Sequence, residues 1–504
     1  MHIAIVGSGV SGIGAAKVLA RLGHEVIIFE KSAQIGGVWA RAYDQVRLQN
    51  VAAHYRFTDF DWPFPVDEHP GVADVLAYLE AAVLHYGLDV RRSHEVVSMS
   101  ETPKGWQLEI AGPQGKSNEH FDHVIIAVGL FSGEQADMEL ADREKFEGQL
   151  LSERTLGDIS AFAGKRVAVI GFGKTAVDLA SMSADHGAKV THIFRQPRWL
   201  LPRRVLGRNI ADIAAARIST RMTPSWVHWD KREAIMHKYF PWSVKAYWKA
   251  SEWLFRATLG LHPFYFDPKV RKRMAALSPD QALTYQMRAA AALAPDRYFG
   301  QVRTGAINPV QGNVKGLDKA GVALSSGEKV AADTVIIAVG YKAPEFSFLP
   351  EKYKKLMTKD ADGAQLYRHV VHPGIPRLAF AGFNHCYMHM AGVEIATLWY
   401  GAVIAGHLEL PSEDEMLACT ARITAWKQTN SLFEPTRAYG VGGRFHNYLD
   451  ILLTELGLKA KRKPGALRDH FLPYLAKDYA GVFDEYEKLV AEADAARKSL
   501  PFDA

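Results

Sequence analysis

The sequence predicts an α/β fold: two Rossmann-like dinucleotide-binding units, with a helical, aromatic-rich insertion. Three observations predict it. The apolar run 3–6 leads into Gly7-Ser8-Gly9-Val10-Ser11-Gly12, and residues 13–22 then carry apolar side chains at helical spacing. The same succession returns at 165–170, followed by Gly171-Phe172-Gly173-Lys174-Thr175-Ala176 and a helical stretch over 177–186. Each unit also has a later apolar strand that closes on glycine, 124–128 before Gly129 and 334–339 before Gly340.

In the first unit Gly7 permits a tight turn and Gly9 a close backbone approach to a pyrophosphate. Gly12 lets the helix pack near the strand, so its free N–H groups face the anion. A second apolar run, 26–29, ends on Glu30, placed to accept hydrogen bonds from a ribose diol. An acid there disfavours a 2′-phosphate, so this unit suits FAD or NAD rather than NADP. Strand 189–194 of the second unit ends instead at Arg195, with Arg198 nearby. A guanidinium can form a forked pair with a 2′-phosphate, which suits NADPH.

Composition bounds the rest. The chain of 504 residues is long enough for two or three domains. A hydrophobic share of 48% and a charged share of 23% are ordinary for a globular protein. A net charge of +5 is too mild to imply nucleic acid. The only cysteines, Cys386 and Cys419, form no C-x-x-C pair, which argues against a disulfide framework and fits a reducing, cytoplasmic compartment. The first residues enter a core strand directly, with no room for a signal peptide, and no apolar run is long enough to span a bilayer.

Between the motifs, Gly36-Gly37-Val38-Trp39 lets backbone pass beside a flat ligand, and Arg47-Leu48-Gln49-Asn50 precedes an aromatic, proline-rich loop over 57–65. A helix is expected over 72–86 and short strands over 89–92, 96–100 and 106–110, with the Pro113-Gln114-Gly115-Lys116 turn making a hairpin. Residues 199–300 read as a helical insertion carrying Trp226, Trp229, Trp242, Trp248 and Trp253, with basic residues in excess. The favoured reading is a cap over the substrate passage, because the aromatics show no single clean stripe; the sharper one is a peripheral membrane patch. A strand over 378–381 and a helix over 392–407 return the chain to the first unit, the helix N-terminus facing the bound ligand. His385, Cys386 and His389 lie between them, and lacking a carboxylate or fourth ligand they read as pocket lining, with no metal. The basic run 459–463 reads as a solvated turn. The expected domains are 1–150 for FAD, 151–335 for NADPH, and 336–504 for the rest of the FAD domain with a C-terminal helical region.

These residues resemble the flavin-containing monooxygenase family of class B flavoprotein monooxygenases. The match rests on both fingerprints, on Gly36-Gly37-Val38-Trp39, on Leu48-Gln49-Asn50 with the Asp59-Phe60 loop, and on Phe146-Glu147-Gly148-Gln149-Leu150-Leu151-Ser152, which follows the motif F-x-G-x-x-x-H. The chain departs from that motif: Ser152 stands at the histidine and Leu156 at the following aromatic, which argues against a Baeyer–Villiger enzyme. The resemblance implies FAD and NADPH as cofactors, held by Gly7, Gly9, Gly12, Glu30, Lys31, Gly37, Trp39, Gln49, Asn50, Val97, Ala127, Gly129, Gly171, Gly173, Lys174, Thr175, Arg195, Arg198, Gly340, Gly382 and Val393. It implies that NADPH reduces FAD, that reduced flavin and O2 form a C4a-hydroperoxide, and that one oxygen passes to a nitrogen or sulfur of a small organic substrate. Asn50 matches the asparagine beside the reactive flavin edge and is the one catalytic candidate. Baeyer–Villiger oxidation of a ketone and a weakly coupled NADPH oxidase are the alternatives. No nucleic-acid partner is expected, and a homodimer is the assembly considered.

Overall fold

The computed structural model describes residues 1–504 apart from 44, 132, 134, 228–229, 288–290, 359–365, 433–439 and 499–504. Trp229 therefore lies outside the described residues.

Two five-stranded parallel sheets organise the molecule. The first runs Leu378–Phe380, His123–Ile126, His2–Val6, Glu25–Glu30, Asp89–Arg92. The second runs Ile307–Gln311, Lys189–Phe194, Arg166–Ile170, Thr334–Ile337, Gln149–Ser152. Apolar runs suit such strands because crossover helices cover both faces. Ile3, Ala4 and Ile5 are fully buried, as are Ala168 and Val169 in the equivalent strand. Burying one such isoleucine or valine stabilises the fold by roughly 1.5–3 kcal/mol.

The internal repeat goes deeper than the glycine motifs. In each unit a three-stranded antiparallel meander precedes the strand that closes on glycine: Glu95–Thr102, Gly105–Gly112, Gly115–Phe121 in the first, and Val314–Asp318, Gly321–Leu324, Lys329–Ala331 in the second. The expected hairpin at 113–116 is the tight link between the last two strands of the first meander, where Gly112 faces Gly115. Helix Val72–Tyr86 has the expected bounds. The helix expected over 392–407 begins three residues earlier, as His389–Ile404.

The expected boundaries 150/151 and 335/336 each fall inside a strand of the second sheet, Gln149–Ser152 and Thr334–Ile337. The insertion is largely helical, with Lys231–Tyr239, Pro241–Leu259 and Pro268–Ala276 as its longer helices. Helix Pro241–Leu259 has an inward stripe, Val244, Trp248, Phe255 and Leu259, of which the first three pack with Trp199 and Leu283 and the last joins the core of the second unit. The aromatics of this helix divide between two faces: Tyr247 and Trp248 pack inward with Phe255, and Trp242 and Trp253 are exposed on the opposite face. The basic run 459–463 is also not simply solvated. Arg462 pairs with Glu485 at 2.6 Å and Lys463 with Asp478 at 2.8 Å, both half-buried against the C-terminal helices.

Candidate functional site

The first cradle is built where strand His2–Val6 meets helix Val10–Arg21. Gly7 has φ +106°, and a Cβ there would sit 2.8 Å from the carbonyl oxygen of Ala127. A Cβ on Gly12 would overlap the Gly7 carbonyl, which is how close the helix lies to the turn. The N-cap is Gly9, whose lack of a side chain leaves the first-turn N–H groups uncapped. Gly37 approaches it so nearly that an added Cβ would lie 3.1 Å from Gly9 Cα. Backbone brought together this way, with free donors and no side chains between, fits a pyrophosphate. Glu30 is buried and its carboxylate accepts from Ser8 N–H at 3.0 Å, Ser8 Oγ at 2.7 Å and Ser32 N–H at 2.8 Å. It is thus held in place at the strand end with one acceptor site to spare.

A Cβ on Gly382 would overlap Ser11 Oγ, so this glycine seats strand Leu378–Phe380 on the first helix, and Val393 packs against Gly14. Trp39 Nε1 donates to Tyr55 at 2.9 Å. Val97 stands at the bulge between Val96 and Ser98, Lys31 is exposed just beyond Glu30, and Gly129, at the end of its strand, has φ +79°.

The second cradle repeats the geometry. Gly171 has φ +128°, a Cβ on it would overlap the Ala338 carbonyl, and helix Lys174–Asp185 starts from an uncapped Gly173. Thr175 lies in the first turn, and Gly340 takes φ +99° past the closing strand. Arg195 is exposed beyond strand Lys189–Phe194 with Arg198 half-buried nearby, the position opposite in charge to Glu30. Lys174, expected to meet a cofactor, is ion-paired with Asp178, which also accepts from Tyr43 at 2.7 Å. That contact ties the first unit to the second. A further group that sequence reasoning missed is His192, fully buried in its strand. Its Nε2 lies 2.7 Å from the Gly171 carbonyl and its Nδ1 2.7 Å from Tyr298 Oη, so it props the glycine turn from behind. Burial lowers its proton affinity to a pKa of about 4 and keeps it neutral. Its sequence signal was a polar residue inside an apolar strand.

Asn50 is half-buried. Its Nδ2 donates to the Tyr387 carbonyl, and its Oδ1 is buried with no partner. Gln49, expected to meet a cofactor, accepts at Oε1 from Leu293 N–H of the insertion at 2.9 Å. His389 is buried, with Nε2 at 3.1 Å from Ser11 Oγ, and burial, reinforced by His385, lowers its pKa to about 3. Burial pushes the Cys386 thiol up to about 12, which keeps it protonated. Among the described residues no cluster of three or more His, Cys, Asp or Glu could hold a metal ion.

A profile of the FMO-like family, flavin-binding monooxygenase-like, matches residues 1–476. The chain belongs to this family. Among curated proteins it is similar to the probable flavin-containing monooxygenase 1 of Arabidopsis thaliana, 25% identical, with 97% of this chain and 98% of that protein covered. Its fold is similar to an open crystal structure of cyclohexanone monooxygenase, with a TM-score of 0.68 at 19% identity over 90% of this chain and 97% of that one. It is also similar to an oxidised steroid monooxygenase bound to NADP, with a TM-score of 0.67 at 18% identity over 91% and 99% of the two chains.

As a flavin-binding monooxygenase the chain takes FAD and NADPH. The residues fit both. The two uncapped glycine turns, the Gly9–Gly37 approach and the carboxylate at Glu30 are features that a dinucleotide explains and packing alone does not. The family motif at 146–152 lies on and before strand Gln149–Ser152, at the edge of the second sheet. Ser152 N–H donates to Thr155 Oγ1 at 2.9 Å, and Leu156 is buried under the sheet, so serine and leucine here form a local turn and a core contact.

Proposed function

We propose that this chain is an NADPH- and O2-dependent flavin monooxygenase that places one oxygen atom on a nucleophilic nitrogen or sulfur of a small organic substrate. The observation that carries the reading is the opposed charge of two otherwise equivalent cradles, Glu30 in one and Arg195 in the other. Glu30 would hold the FAD ribose, and Arg195 with Arg198 the 2′-phosphate of NADPH. Bound FAD supplies hydride acceptance and oxygen activation. The chain's own residues bind, orient and exclude water. The Asn50 amide is pinned by Tyr387 through Nδ2, which leaves Oδ1 as a fixed, buried acceptor with no protein partner. Ser152 in place of the motif histidine favours this chemistry over ketone oxidation, for which the likeness to cyclohexanone monooxygenase speaks.

The test is anaerobic reduction of the yellow holoenzyme by NADPH and by NADH, then mixing with oxygen and a panel of amines, thioethers and ketones. Expected are preference for NADPH, loss of that preference in Arg195→Ala, and oxygenated amine or thioether in step with NADPH consumed. Ketone turnover alone, or peroxide equal to NADPH with every substrate, overturns the reading.

The insertion adds a contact surface. Trp242 and Trp253 are 68% and 70% exposed on one face of helix Pro241–Leu259, with Lys245 and Lys249 exposed between them. Phe264 and Phe266 follow, 80% and 104% exposed, beside the exposed Lys269, Arg271 and Lys272. Tryptophan and phenylalanine ringed by cations suit the interface of an anionic bilayer. Among the described residues no helix is long and apolar enough to cross a membrane, so this contact would lie on the surface. Sedimentation with vesicles is expected to need anionic lipid and to fail in Trp242→Ser/Trp253→Ser. Equal binding by that variant refutes the contact, and concentration-dependent self-association lost in it would assign the face to a second copy.

A further inference from the structure

The segment that carries Asn50 lies antiparallel to residues 68–71. Leu48 N–H donates to the Pro70 carbonyl at 2.9 Å and Ala52 N–H to that of Glu68 at 3.0 Å. His69 is buried between the two lines of chain. Its Nδ1 is 3.1 Å from the Leu48 carbonyl and 3.0 Å from the Asn50 carbonyl. Two acceptors there require the ring proton on Nδ1, so Nε2 is an acceptor. Nε2 meets Asn209 Nδ2 at 3.1 Å. That amide has no freedom to turn over, because its Oδ1 accepts from Ala211 N–H at 2.9 Å and caps helix Ile210–Ala215. Gln49, one residue away, is held by Leu293. Leu48, Gln49 and Asn50 are thus tied to the insertion near both its ends.

We propose that His69 is a positioning residue that couples the seat of the insertion to the orientation of Asn50. The coupling rests on the role given to Asn50 above. Every donor and acceptor in the chain Asn209–His69–Asn50 has one permitted direction, so a displaced insertion disturbs the ring and then the backbone that carries Asn50. The ring is neutral in this arrangement. Burial and Arg203 disfavour its charge, against Glu68 and the two carbonyls, and Glu68 is itself paired with Arg204.

Three variants of the FAD-bound enzyme test it. His69→Phe removes both ends of the link. His69→Asn keeps a donor near Nδ1 but cannot reach Asn209. Asn209→Asp keeps the Ala211 cap and sets a carboxylate against Nε2, which draws a second proton onto the ring. The measurements are amide hydrogen exchange over 47–55 and 205–216 without NADPH, and peroxide released per NADPH consumed with a thioether present. His69→Phe should raise the peroxide ratio about five-fold, the effect of one neutral hydrogen bond, and both segments should exchange faster. His69→Asn should keep 47–55 protected and restore most of the ratio while 205–216 loosens. Asn209→Asp should behave as wild type at low pH and lose coupling as pH rises and the ring sheds its second proton, a step wild type lacks. Unchanged exchange in His69→Phe, or no new pH step in Asn209→Asp, overturns the proposal. If wild type oxygenates nothing, the proposed function fails and the exchange data still decide the coupling.

Discussion

Lys17→Met is expected to destabilise the chain by about 3–5 kcal/mol, the usual consequence of leaving one member of a buried ion pair alone. Lys17 leaves helix Val10–Arg21 on its buried side, with its side chain 1% exposed and its ammonium bonded to Asp59 and Glu394. Glu394, on helix His389–Ile404, is fully buried and also accepts from Thr58 N–H at 3.0 Å and Thr58 Oγ1 at 3.1 Å. Tyr86 donates to Asp59 at 2.6 Å. One ammonium therefore joins the two helices that flank the first cradle to the loop after Asn50. Methionine fills the space but leaves the Glu394 carboxylate without a cation, so the melting temperature should fall by several degrees and bound FAD with it. The double variant Lys17→Met/Glu394→Gln should recover most of the loss, since the amide can still accept from Thr58. A single variant that melts with wild type and keeps its flavin would show that the charges do not hold the cradle. The two carboxylates shift in opposite senses: burial holds Glu394 above its ordinary value in spite of Lys17, and the acid limb belongs to Asp59. Burial pushes the Asp59 carboxyl up, but Lys17 and Tyr86 together bring it below its ordinary value. Its contribution is present above that ordinary value and disappears as pH falls through the lower one. Lys17→Met should remove this acid-sensitive part.

Gly171→Ala is expected to abolish NADPH-driven reduction while FAD stays bound. The residue holds φ +128°, a region that alanine enters only under strain of about 1–3 kcal/mol, and its Cβ would also overlap the Ala338 carbonyl. The turn must open, which spoils the uncapped helix start behind it. The first cradle uses other strands and keeps its flavin. Gly173→Ala supplies the contrast. An added Cβ there meets no atom within 4 Å, so the fold should tolerate it with an unchanged melting temperature. A methyl group between backbone and pyrophosphate should nonetheless weaken NADPH about tenfold, the equivalent of roughly 1.4 kcal/mol. Rapid reduction of Gly171→Ala by NADPH, or full NADPH affinity in Gly173→Ala, would remove the second turn from the nucleotide site.

Much of this was legible because it is local. Gly7 must take a positive φ and Gly12 must clear the Gly7 carbonyl, both local demands, and Glu30 and Arg195 end strands whose apolar runs announce them. Helix Val72–Tyr86 and strand Lys189–Phe194 could be read to the residue from period and caps. The aromatics of helix Pro241–Leu259 show no single stripe in the sequence because two sets, one for the core and one for the surface, share it. The roles of Gln49, His69 and His192 are hidden for another reason. Each makes its decisive contact with a residue far along the chain, and a single sequence holds no record of such pairs.

Two nucleotide cradles and the charge that distinguishes them can be read along the chain, because a helix start and a strand end are set by neighbouring residues. That the insertion is pinned to the Asn50 segment, and that one buried ammonium ties both flanking helices to its loop, emerges from the folded packing. Those contacts depend on which side chains meet once the sheets have formed, where burial makes each hydrogen bond and charge pair specific.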